Sequence, residues 1–121
     1  MATIAYRIFE EKNGYPYSLF HGTGGSRKLP IDRWIESDTK LVRDGSGQKK
    51  KLYKSGFHVL LSLDDAKRLA KRFKITDNRV LCTVEIDNIW KKHHSPYNIF
   101  LAKKMLITKD AWDNRIPLGE L

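Results

Sequence analysis

Apolar and polar positions alternate in short blocks along most of this chain, the period-two pattern of strands with one buried face. IAYRIF (4–9) alternates and runs into EKNG, whose Asn13-Gly14 pair is a hairpin turn; YPYSLFH (15–21) returns as the partner strand. RVLCTVEI (79–86) is β-branched and apolar, with Val80, Cys82, Val84 and Ile86 on one face, and NIFLAKKMLI (98–107) is a second such strand. One block switches to helical spacing. In SLDDAKRLAKRFK (62–74), Ala66, Leu69, Ala70 and Phe73 share a face, while Lys67, Arg68, Lys71, Arg72 and Lys74 occupy the others. Ser62 caps this helix, Asp65 completes a capping box, and Asp64 and Asp65 sit at its positive end.

The remaining blocks are less regular. LPIDRWIESD (29–38) leaves a short helix or an irregular segment pinned by Trp34 both open. The stretch 39–56, with Gly45, Ser46 and Gly47 followed by Lys49, Lys50 and Lys51, reads as a solvated surface loop. Residues 87–97 read as a loop held by Trp90 and punctuated by Pro96, and TKDAW (108–112) as a turn or short helix. No repeat or linker interrupts the chain, so the expectation is one α+β domain over 1–121 with one main amphipathic helix.

Composition narrows the setting. At 121 residues and 40% apolar, the chain can close a single core. Its 23 Lys and Arg against 14 Asp and Glu leave a net charge of +9, which favours a polyanionic partner: RNA, DNA, a phosphorylated ligand or an acidic protein surface. Cys82 has no disulfide partner, which suits a reducing compartment. There is no basic-headed apolar leader and no bilayer-length apolar run, so a cytoplasmic protein without membrane contact is expected.

Two stretches carry candidate chemistry. In FHGTGG, His21 stands at a strand end, Gly22 and Gly24 permit close backbone approach, and Thr23 offers a hydroxyl. Together they suit a ribose and a flat ring or phosphate, with Arg27 and Lys28 following within reach of a phosphate. The spacing is not that of a Walker loop, and a glycine turn bearing a surface histidine is the competing reading. In SGFHVLLSLDD, His58 lies on a strand and Ser62 opens a helix whose first N–H groups are available to an anion. If the two strands neighbour each other, His21 and His58 face one cleft; otherwise His58 is a core-facing or hydrogen-bonded strand residue. Arg43 is a further candidate phosphate contact.

Other chemistry is less well served. His93 and His94 are adjacent and point apart on extended chain, and no cysteine or carboxylate cluster has metal spacing, so no metal is expected. There is no nucleophile elbow, and Cys82 reads as core. Lys49, Lys50 and Lys51, with Lys67 and Lys71 on the helix, are candidate nucleic-acid contacts, and Tyr53, Tyr97, Trp34 and Trp90 lie near basic runs that suit base stacking. Aromatic core under a basic exterior is the ordinary alternative.

The order of FHGT (20–23), HVLLSLDDAKRLAKR (58–72) and NIFLAKKM (98–105) resembles the ADP-ribosyltransferase-like fold. It looks most like the RNA 2′-phosphotransferase branch, with its Arg-His-Gly-Thr, His-x-x-x-Ser and Asn-Gly-Val-Trp-Leu motifs. The resemblance implies a split β-sheet whose cleft binds NAD or a related nucleotide or RNA phosphate. His21 would then contact a ribose and Gly22 nicotinamide, with His21, His58 and Asn98 as catalytic candidates. The chain departs from the pattern at Phe20, where the family has arginine, and at Asn98, near where many members carry a catalytic glutamate. His58 stands about where polymerase-type members have tyrosine. Transfer of ADP-ribose or of a phosphate would therefore proceed without the carboxylate that usually stabilises the oxocarbenium-like state. SLFHGTGGSRKLPIDRW, YKSGFHVLLS and HHSPYNIFLA also resemble small bacteriophage proteins, which implies action in a host cytoplasm. The alternative function is a non-catalytic module that engages nucleic acid or an acidic host protein.

Overall fold

The computed structural model describes residues 3–18, 27–37, 41–44, 51–73, 78–92, 95 and 97–121, with the backbone alone over 41–44 and 51–53. The chain opens with the expected hairpin: β1 (Thr3–Lys12) pairs antiparallel with β2 (Tyr15–Ser18), from Phe9 opposite Ser18 to Lys12 opposite Tyr15. Asn13 (φ 54°) and Gly14 (φ 81°) both occupy the left-handed region, which the mirror-image turn needs at both central positions.

The sheet is built around β7 (Arg79–Lys91) and β8 (Ile99–Leu106). β1 lies along the first half of β7, and β8 along the second. β6 (Phe57–Leu60) pairs with β8 from Phe57 opposite Ala102 to Leu60 opposite Ile99, then returns to β1 where Tyr6 faces Leu60. The pairings β1–β7–β8–β6–β1 therefore close a ring. β3 (Trp34–Glu36) extends the same edge of β8 beyond β6, and β9 (Ile116–Pro117) adds to β7. Two short helices, α1 (Leu63–Ala70) and α2 (Lys109–Asp113), accompany this antiparallel sheet among the described residues, so the protein is α+β.

One core lies on the face of Ala5, Phe9, Val59, Val80, Cys82, Val84, Ile86 and Met105, and Trp112 packs edge-on against Phe9 at 6.0 Å. The other lies under α1, where Ala66, Ala70, Leu69 and Phe73 meet Ile8, Leu60 and Leu81. The two sides of the alternating strands thus bury different partners, and the helix face read from spacing is the one that packs.

Three expectations are corrected. The segment 29–38 is neither helix nor irregular throughout: Trp34–Glu36 is a strand, because β8 offers a free edge, and Ile35 turns inward while Trp34 faces out. The 39–56 loop contains a two-stranded hairpin, β4 (Leu41–Asp44) with β5 (Lys51–Lys54), since these short blocks find in each other the partner that a lone strand lacks. Residues 87–91 continue β7 instead of forming a loop, held by Ile89 opposite Ala102 and Trp90 opposite Leu101. Asn88 (φ 55°) interrupts the local geometry without shifting that register, and its N–H bonds the Asp87 carboxylate at 2.9 Å. TKDAW forms α2, capped by the Thr108 hydroxyl, which accepts the Ala111 N–H at 3.1 Å.

Candidate functional site

The residues that flank the first sequence motif, and the strand that carries the second, meet the same edge of β1. Its other edge is taken by β7 from Thr3 to Glu10, so β2 and β6 share what remains: β2 covers Phe9 to Lys12, and β6 touches down at Tyr6. Arg7 and Ile8 lie in the interval. The stretch 19–26, which holds His21, Gly22 and Thr23, lies outside the described residues, but its two ends do not. Ser18 donates its N–H to the Arg27 carbonyl at 2.9 Å, and the Arg27 N–H donates to Ser18 Oγ at 3.0 Å. Lys28 then bridges Tyr17. The His-Gly-Thr stretch therefore departs and returns beside Phe9, two residues along β1 from Arg7.

Arg7 is a residue that hydrophobic patterning alone does not mark as functional. It is only 8% exposed, between Phe9 and Phe57, whose ring centroids lie 5.4 and 5.6 Å from its guanidinium carbon. One terminal nitrogen donates to the His58 carbonyl at 3.1 Å, and its buried Nε has no partner. Among the described residues no carboxylate pairs with it, and desolvation lowers its pKa to about 10. A buried guanidinium without a counter-ion is an unfavourable arrangement that an anion would relieve.

His58 alternates to the α1 side of β6. Its Nε2 lies 3.4 Å from the ammonium of Lys92, a residue only 9% exposed. With the ammonium as donor, Nε2 is the accepting nitrogen. The backbone and ring of His58 are thus each held by a cation. The depression lined by Arg7, Ile8, His58, Val59, Leu60, Leu69, Phe73 and Ile99 encloses little more than room for one water molecule, so a nucleotide would lie across this edge and not inside it.

Ser62 and Asn98 form a neighbouring cluster. Ser62 Oγ accepts the Asp65 N–H at 3.1 Å as the cap of α1, as its position in the sequence requires. Asn98 is exposed, and its amide donates to both Asp65 carboxylate oxygens at 3.4 Å; Arg68 stands 3.9 Å from the same carboxylate. Asp65 is thus a carboxylate beside Asn98, where the motif comparison leaves none. The Lys92 N–H bonds the Ile99 carbonyl at 3.0 Å, which joins this cluster to the His58 pair through adjacent backbone.

The chain matches no family model, no curated protein and no solved structure.

The other candidates are dispersed. Arg27 and Lys28 are exposed at the root of the 19–26 stretch, and the Lys28 ammonium stands 3.8 Å from the Tyr15 ring centroid. Lys67 on α1 and Lys71 just past its end are exposed. Arg43 and Lys51 have backbone positions in β4 and β5, on a separate two-stranded sheet, while Lys49, Lys50, His93 and His94 lie outside the described residues. Among the described residues no group of three or more His, Cys, Asp or Glu is placed to hold a metal, and no helix is long and apolar enough to cross a membrane.

Proposed function

We propose that this protein binds the phosphate of a nucleotide or of RNA along the β1–β6 edge, in an ADP-ribosyltransferase-like arrangement. The observation that carries the reading is the placement of His58 and the root of the His-Gly-Thr stretch on one edge of β1, with the buried, carboxylate-free Arg7 between them. Arg7, which holds the His58 carbonyl, and Lys92, which meets the His58 ring, supply positive charge, and His21, Gly22 and Thr23 meet the ribose and base. NAD fits this reading as a dinucleotide laid across the edge. Transfer chemistry would call on Asp65, through Asn98, for the carboxylate that the family pattern otherwise supplies.

A thermal-shift titration with NAD, ADP-ribose and a 2′-phosphorylated oligoribonucleotide tests it. A ligand at a hundred times its Kd adds about 2.7 kcal/mol to the native state, a shift of several degrees. The shift is expected in the wild type and is lost in His21→Ala and in His58→Ala. If none of the three ligands raises the melting temperature, the reading fails.

The exposed Lys67 and Arg68 of α1, with Lys71 and Arg72 just past its end, favour a second reading, a non-catalytic module for nucleic acid or an acidic host protein. Under it, reversing Lys49, Lys50 and Lys51 to glutamate abolishes partner binding while leaving any ligand at the β1–β6 edge in place.

A further inference from the structure

We propose that the outer face of the β1–β2 hairpin is a docking platform for single-stranded nucleic acid. Bases stack on Tyr15 and Tyr17, and phosphates lie against Lys12, Lys28 and Arg79. The platform adjoins the root of the His-Gly-Thr stretch at Lys28, but Tyr15, Tyr17, Lys12 and Arg79 take no part in the proposed site on the β1–β6 edge.

The register builds this face. Glu10 lies opposite Arg79 on one side and Tyr17 on the other, Tyr17 bridges Lys28, and Lys12 lies opposite Tyr15. Residues directly opposite in a sheet share a face, so these six side chains leave the sheet on the same side. The reverse side carries Phe9 and Pro16, both fully buried. Tyr15 is 47% exposed. The Lys28 ammonium already lies 3.8 Å from the Tyr15 ring centroid, and that of Lys12 lies 5.1 Å from Tyr17. Glu10 is the one carboxylate among the six residues, and it stands 3.6 Å from Lys12. The face therefore carries three cations against one anion.

Charge and shape together select the partner. Tyr15 and Tyr17 are two residues apart on one strand, hence about 7 Å apart, so each ring takes its own base once the lysine over it turns to the phosphate beside that base. A duplex hides its base faces, whereas an extended single strand offers them with phosphates on either side. An acidic protein would use the ammonium groups and leave the rings idle. The platform is also preorganised: Trp112 Nε1 donates to the Gly14 carbonyl at 2.9 Å, and Arg115 pairs with Glu11.

Fluorescence anisotropy of the full chain with labelled U12 and dT12 oligonucleotides tests this, and comparison of the two separates RNA from DNA. Each of Tyr15→Leu and Tyr17→Leu is expected to weaken binding about tenfold, whereas Tyr15→Phe and Tyr17→Phe retain it. Lys12→Gln with Lys28→Gln should lower the slope of log affinity against log salt by roughly 1.4. Lys109→Gln, on α2 outside this face, should bind as wild type. No binding of either oligonucleotide at 50 mM NaCl overturns the proposal. So does equal affinity for a duplex, unchanged affinity in the leucine variants, or competition by polyglutamate as strong as by unlabelled oligonucleotide. Should the leucine variants fail to fold, the salt slope of the lysine variant decides alone.

Discussion

Burial pushes the Cys82 thiol up to about 12 from its ordinary value near 9.0, with the Arg115 charge opposing the shift. Below pH 9 both folded and unfolded chains keep this proton, so the thiol leaves stability unaffected. Between pH 9 and 12 the unfolded chain ionises first and stability falls, by at most about 4 kcal/mol for a shift of this size. Urea titrations across that window are expected to show the slope in the wild type and a shallower one in Cys82→Ala. The same burial makes the thiol react with a disulfide reagent only as fast as the chain opens. Arg7 shows the other effect of burial on an ionisable group. Desolvation lowers its pKa, yet at about 10 it stays charged at neutral pH, and its Nε is left without an acceptor. The sequence marked His58, Ser62 and Asn98 as functional and Asp65 only as a capping residue; it did not mark Arg7. Arg7 sits in an alternating strand where a surface arginine would look the same, and only the meeting of β1 with β6, some fifty residues away, takes it from water.

Among the elements, those legible in the sequence were the ones whose determinants are local. α1 carries its cap and its apolar face within a dozen residues, and the first hairpin carries its turn. β3 and the second half of β7 were missed because their identity depends on β8, which is distant in sequence from β3 and separated from β7 by a run of lysine, histidine and proline. Gly56, at the entrance to β6, shows how closely these strands approach. A methyl group there would lie 2.9 Å from the Ala102 carbonyl oxygen and 3.1 Å from the Trp90 ring. Trp90 is itself fixed by its Nε1 donating to the Lys54 carbonyl at 3.3 Å. Gly56→Ala is therefore expected to destabilise by about 1–3 kcal/mol, read as a lower urea midpoint with an unchanged slope.

At the scale of the whole molecule, a net charge of +9 makes the folded state repel itself, and screening should relieve that repulsion. Raising NaCl from 20 to 150 mM is expected to raise the melting temperature by about a few degrees. Sulfate at equal ionic strength should raise it further if the Arg7, His58 and Lys92 groups take an anion, and Arg7→Met should remove that extra increment. Equal effects of chloride and sulfate would count against an anion site. The α+β class and the antiparallel strands followed from the blocks of alternation. The ring did not, because closure is a property of which edges meet.

That closure has a consequence for synthesis. β1 is synthesised before all of its partners, the longest of which is residues 79–86, and the ring is complete only when β8 has followed. Until then the hairpin offers an open edge to any strand nearby, including those of other nascent chains. The fold is thus assembled late and together, at the slow end of the range set by contacts distant in sequence: a chain stalled before residue 79 lacks the longest partner of β1, and one stalled before residue 99 lacks the strand that joins β6 to β7.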